Sequence, residues 1–178
     1  MIKLKDLLGE GLFTSNLKMK SHEKLLVSGV IEFMRKKFGF KSKIIVKKKE
    51  NSALLGDISL NDNSLNKDKF YLHFNPNMSY KMIIQSLIHE LTHVKQVSKK
   101  ELKPTNDYKH LLWKGKEIIS VKDYKTMGKK DVSGYKKLPW EKEAYVNSKN
   151  LYKPFINSTE WKSLKGKDDT LDFIIKEI

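Results

Sequence analysis

Between Ser79 and Lys100 the chain sets Ile83, Ile84, Leu87, Ile88, Leu91 and Val94 at three- and four-residue intervals, behind a serine that can cap a helix. That spacing predicts one long amphipathic helix with a broad apolar stripe. The same helix carries His89-Glu90-Leu91-Thr92-His93. Residues four apart lie one above the other on a helix, so the two imidazoles can aim at a common point. Neutral imidazole is a good zinc ligand, and zinc prefers a tetrahedral donor set. Glu90, one step round the helix, does not share that vertex easily but can reach a water held there. The pattern therefore reads as two ligands, His89 and His93, and one general base, Glu90. The competing reading is a pair of partly buried histidines hydrogen-bonded in a core.

The flanking segments predict the rest of the fold. Residues 21–38 read as a helix, with Leu26, Val30, Phe33, Met34 and Phe38 on one face, Ser21 as a cap and Gly39 as a stop. Residues 41–49, 52–60 and 70–74 read as strands; 61–69 is a polar turn. Residues 110–121 suit a hairpin folded at Gly115, and 122–138 a lysine- and glycine-bearing loop. Pro139 suits the first position of a helix running from 139 to 155, with acidic residues following in its first turn. A last helix covers 168–177. The expected fold class is α+β: a small, mostly antiparallel sheet against the histidine-bearing helix, with further helices. One domain spans 1–178, with 1–20 as an arm or short helix.

Composition narrows the chemistry. The chain has no cysteine, which excludes disulfides, thiolate metal sites and a cysteine nucleophile. No window approaches the roughly 18 apolar residues of a membrane helix, and the first residues are interrupted by Lys3, Lys5, Asp6 and Glu10, unlike a signal peptide. A cytoplasmic protein without a membrane partner is expected. The net charge of +15 raises nucleic acid as a partner of a lysine-rich surface. All 36 basic residues except Arg35 are lysine, however, and arginine is the preferred fork for phosphates and guanine edges. A solvated surface of biased composition is the competing account.

A catalytic zinc ion needs a third protein donor if one position is to stay open for water. Gln96 and Lys99 stand where the longer metzincin signature has glycine and histidine, which excludes that class. Glu141, 48 residues after His93 in the helix start "LPWEKEAY", can deliver a carboxylate if the two helices cross. His110 is the alternative donor, 17 residues after His93. His73, on the strand before the motif helix, is read as structural.

With the HELTH helix and the later Pro139-Trp140-Glu141-Lys142-Glu143-Ala144 run, the chain resembles gluzincin-type zinc metallopeptidases. It looks closest to small phage-encoded metallopeptidases with a "PWExEA" helix. Its layout is similar to the ImmA/IrrE-like peptidases, which place a glutamate in an E-x-x-A helix. The resemblance covers roughly residues 70–150. It implies a zincin-like fold, Zn2+ held by His89, His93 and Glu141, and Glu143 as an outer or surface residue. It also implies hydrolysis of a protein or peptide substrate by metal-activated water, with Glu90 as general base. Tyr135, or else Tyr145, is the expected oxyanion stabiliser, and a sheet edge the expected seat for extended substrate. With a third histidine the chain would instead resemble SprT-like, DNA-associated proteases, although Leu111 replaces their glycine. A third reading is a non-catalytic phage interaction factor on the same fold, acting in the host cytoplasm.

Overall fold

The computed structural model describes residues 13–15, 19–48, 56–60 and 69–177. Most of the expected N-terminal arm, the start of the 52–60 strand and nearly all of the polar turn lie outside the described residues. Strand β1 (Phe13–Ser15) is followed by helix α1 (Ser21–Phe38) and strands β2 (Lys43–Lys48), β3 (Gly56–Leu60) and β4 (Lys69–Phe74). The long helix α2 (Tyr80–Ser98) leads to strands β5 (Leu102–Pro104), β6 (His110–Trp113) and β7 (Lys116–Ser120). Helices α3 (Val121–Lys130), α4 (Val132–Lys137), α5 (Pro139–Asn150), α6 (Tyr152–Ile156), α7 (Thr159–Lys162) and α8 (Asp169–Glu177) complete the chain. Among the described residues, no helix is long and apolar enough to cross a membrane.

The α+β class is as expected, but the main sheet is not mostly antiparallel. Its order is β1-β2-β4-β3, with β1–β2 and β2–β4 parallel and only β3–β4 antiparallel. The reason is connectivity. Helix α1 lies between β1 and β2, and a helical crossover returns the chain to the same end of the sheet. Strand β3 then pairs outside β4, so β4 takes the place beside β2 that a meander would give to β3. In the β2–β4 register Ile44 lies opposite Phe70 and Val46 opposite Leu72, and all four are buried. This face packs with Leu26, Val30 and Met34 of α1 and with Ile84, Leu87, Ile88 and Leu91 of α2 in one core cluster.

Helix ends explain the remaining differences. The Glu23 carboxylate accepts the Lys20 N–H at 2.7 Å, so α1 is capped from its third residue rather than by Ser21. Gly39 closes it in the left-handed conformation, φ 71°. Ser79 caps α2 as expected, accepting from the Met82 N–H. The hairpin turns at Lys114 and Gly115, both with positive φ. The segment 122–138, expected as a loop, is instead helical. Ser120 accepts the Asp123 N–H at 3.0 Å and Asp131 accepts the Gly134 N–H at 2.7 Å, giving α3 and α4 each a cap. Tyr124 and Tyr135 stack at 6.0 Å, and Tyr124 meets the Trp140 ring at 5.9 Å, so aromatic packing outweighs the polar composition. The helix expected over 139–155 breaks at Leu151 into α5 and α6.

Phe155 is fully buried between Phe33 and Trp161, with ring centroids at 5.4 and 5.3 Å. Phe155→Ala is expected to cost about 3–5 kcal/mol in urea unfolding, while Val146→Ala, on the exposed side of α5, stays within about 0.5 kcal/mol. A Phe155→Ala loss no larger than that of Val146→Ala would contradict this packing.

Candidate metal centre

Helix α2 lays its apolar stripe on the sheet and α1, which leaves its histidine face toward α5. The i, i+4 spacing brings His89 and His93 together as expected. Their Nε2 atoms are 3.2 Å apart and their rings meet nearly edge-to-face, at 83°. Helix α5 crosses this face and turns Trp140, Glu141, Ala144 and Ser148 inward. Glu141 Oε2 lies 3.4 Å from His89 Nε2, and Glu141 Oε1 lies 3.4 Å from His93 Nε2. Donor atoms of His89, His93 and Glu141 are thus close enough together for the three to hold a metal ion.

The Glu141 carboxylate is 1% exposed, and its Oε2 has no hydrogen-bond partner. Burial alone pushes its pKa up. The His89 and His93 imidazoles beside it, with help from Tyr135, reverse that and hold it at about 2. For His93 burial favours the neutral ring, but the Glu141 and Glu90 charges outweigh it and raise the pKa above the ordinary value. Two buried carboxylates, Glu141 and Glu90, thus stand close to the imidazole pair, an environment that can accommodate a cation. Glu90 is also buried, and its charge acts on His93, Tyr124 and Tyr145.

The two tyrosines separate. Tyr135 is half-buried beside Tyr124 and the Glu141 carboxylate; burial first, then those neighbours, raise its pKa strongly. Tyr145 packs its ring edge against His89 at 4.7 Å and stays 38% exposed. His110, the alternative ligand, is not brought to the centre. It sits on β6, with Nε2 3.5 Å from Glu117 of the paired strand β7. His73 lies on β4, half-buried and outside the group. Glu143 faces Lys95, Gln96 and Lys114 rather than the histidine nitrogens.

Gln96 was not among the expected site residues; its place in the sequence served only to exclude a longer motif. Its Oε1 lies 2.8 Å from His93 Nδ1, and its Nε2 donates to the Trp140 carbonyl at 3.0 Å and to Glu143 Oε2 at 2.8 Å. The signal that could have found it is its i, i+3 spacing from a ligand histidine. Comparison of the chain with models of protein families, with curated proteins and with solved structures gives no match.

This geometry makes two predictions. Glu141→Ala weakens divalent-metal binding by more than about 100-fold, since even outer partners of a ligand are worth 10–100-fold. His110→Ala leaves binding unchanged, as read by competition with a chromophoric chelator; equal losses in both variants would contradict the assignment. Binding also needs the imidazoles neutral, and His93 holds its proton to a higher pH than an ordinary histidine. Metal affinity is therefore full above the His93 pKa and falls as pH drops through it, starting above the ordinary histidine range; a flat profile from pH about 8 to 6 would count against the site.

Proposed function

We propose that the protein is a zinc-dependent peptidase. The observation that carries this reading is the donor spacing. Zinc–nitrogen bonds of about 2.0–2.1 Å at tetrahedral angles put neighbouring donors about 3.3–3.4 Å apart. Here the two Nε2 atoms are 3.2 Å apart, each stands 3.4 Å from a different oxygen of Glu141, and one donor atom from each residue lies within 4.8 Å of the others. Two imidazoles also select a transition metal over magnesium or calcium, which prefer all-oxygen sites. His89, His93 and Glu141 are the proposed ligands. A zinc ion there supplies a water of pKa about 7 and a Lewis acid for a carbonyl oxygen.

The protein's own groups then divide the remaining work. Glu90, adjacent in sequence to His89 and buried near the cluster, takes the proton of the attacking water and passes it to the departing amine. Tyr145 is better suited than Tyr135 to donate to an oxyanion, because it meets the His89 ring and stays partly exposed, while Tyr135 is engaged with Glu141 and Tyr124. Strand β3 supports a seat for the substrate. It is an edge of the main sheet among the described residues, and it packs against α2. An extended peptide can add to such an edge by backbone pairing. The SprT-like alternative needs His110 as a ligand, whereas His110 Nε2 stands 3.5 Å from Glu117.

The experiment is Glu90→Gln. Zinc affinity should stay within a few-fold of the parent, while cleavage of a mixed peptide library, read by mass spectrometry, falls by about 10²–10⁴-fold. Undiminished cleavage by Glu90→Gln contradicts the proposed base. A parent protein that binds no zinc contradicts the whole reading.

A further inference from the structure

An imidazole can bind a metal through Nε2 only if the hydrogen sits on Nδ1, and the partner of Nδ1 decides that. His93 Nδ1 faces the Gln96 side chain at 2.8 Å, inside the helix–helix contact where Gln96 is fully buried. A glutamine amide can present either its oxygen or its nitrogen, so its orientation must be argued from its other contacts. Gln96 Nε2 lies 3.0 Å from the Trp140 carbonyl oxygen and 2.8 Å from Glu143 Oε2. Both are acceptors. Turning the amide over would set its oxygen against a carbonyl and a carboxylate oxygen at once. The amide is therefore fixed with its oxygen on His93, where only an Nδ1–H can donate to it.

Glu143 is itself held in place. Lys95 Nζ donates to both of its oxygens at 3.2 Å, and Lys114 Nζ approaches Oε1 at 3.7 Å. Lys95 is buried and also pairs with Glu101 at 2.7 Å. A chain of contacts thus runs from Lys95 through Glu143 and Gln96 to His93, with Lys114 paired to Glu143 at its outer end.

We propose that Gln96 is a positioning residue for His93: its oxygen keeps the ring hydrogen on Nδ1 and turns the Nε2 lone pair toward His89 and Glu141. Glu143 acts one step further out, by fixing which way the Gln96 amide points. The tautomer is a property of the metal-free protein and does not depend on the peptidase reading; only the effect on zinc affinity rests on it.

The test uses the full chain with nitrogen-15-labelled histidine, without metal, at a pH where the imidazoles are neutral. Long-range proton–nitrogen spectra report which ring nitrogen carries hydrogen. His93 is expected as the Nδ1–H tautomer in the parent. Gln96→Leu is expected to lose that preference and to bind zinc about 10–100-fold more weakly. A parent His93 with its hydrogen on Nε2 overturns the proposal, and that spectrum needs no variant to fold. So does a folded Gln96→Leu that keeps both the Nδ1–H tautomer and the parent zinc affinity. The expected tautomer in a protein that fails to bind zinc leaves this inference standing and removes the peptidase reading.

Discussion

A carboxylate that is 1% exposed and has an oxygen without a hydrogen-bond partner is costly to bury, by several kcal/mol for an unpaired ion. Glu141 is in that position, and much of the molecule's second half is arranged around it. Two features of the chain reduce the cost. Glu141 stands in the first turn of α5, where the helix dipole favours negative charge. The imidazoles of His89 and His93 each stand 3.4 Å from one of its oxygens. Neither imidazole is close enough to Glu141 to make a strong hydrogen bond with it. A cation held by these three groups would offset the cost of that buried charge, which is why the burial of Glu141 and the proposed zinc reading belong together.

The fold supplies rigidity to that centre from both helices. Helix α2 is anchored along its apolar stripe, with Ile84, Leu87, Ile88 and Leu91 all buried against the sheet and α1. On α5 the residues around Glu141 have separate tasks. The fully buried Trp140 ring packs near Trp113 and Tyr124, while its carbonyl accepts from Gln96. Glu143 is turned away from the histidine pair and holds Gln96 from the other side. The run Trp140-Glu141-Lys142-Glu143 therefore combines a buried aromatic anchor, the proposed metal donor and the proposed brace within one turn of helix, with Lys142 left exposed between them.

What was legible in the sequence is what short-range chemistry decides. The i, i+4 histidines, the apolar stripe of α2, the Ser79 cap, the Gly115 turn and the Pro139 start all act within a few residues, and each stands where local rules put it. Glu141 was legible only in combination, since spacing along the chain does not say which helices cross. The parallel pairing of β2 with β4 was not legible, because strand order depends on which faces become buried together. Helices α3 and α4 were hidden by their lysines and glycines; their stability comes from Tyr124 and Tyr135 stacking near Trp140, a contact between distant residues. His110 had the right residue type, but its hairpin carries it to Glu117. Gln96 lacked the residue type usually sought at a metal site, and its role follows only from what Trp140 and Glu143 offer it in space.

The central claim is that two imidazoles and one carboxylate share a zinc ion. X-ray absorption at the zinc edge of the loaded protein tests it most directly. The account predicts a four-coordinate ion with two imidazole ligands at about 2.0–2.1 Å and the remaining positions filled by oxygen. A spectrum with six oxygen neighbours, or with fewer than two imidazoles, would contradict it.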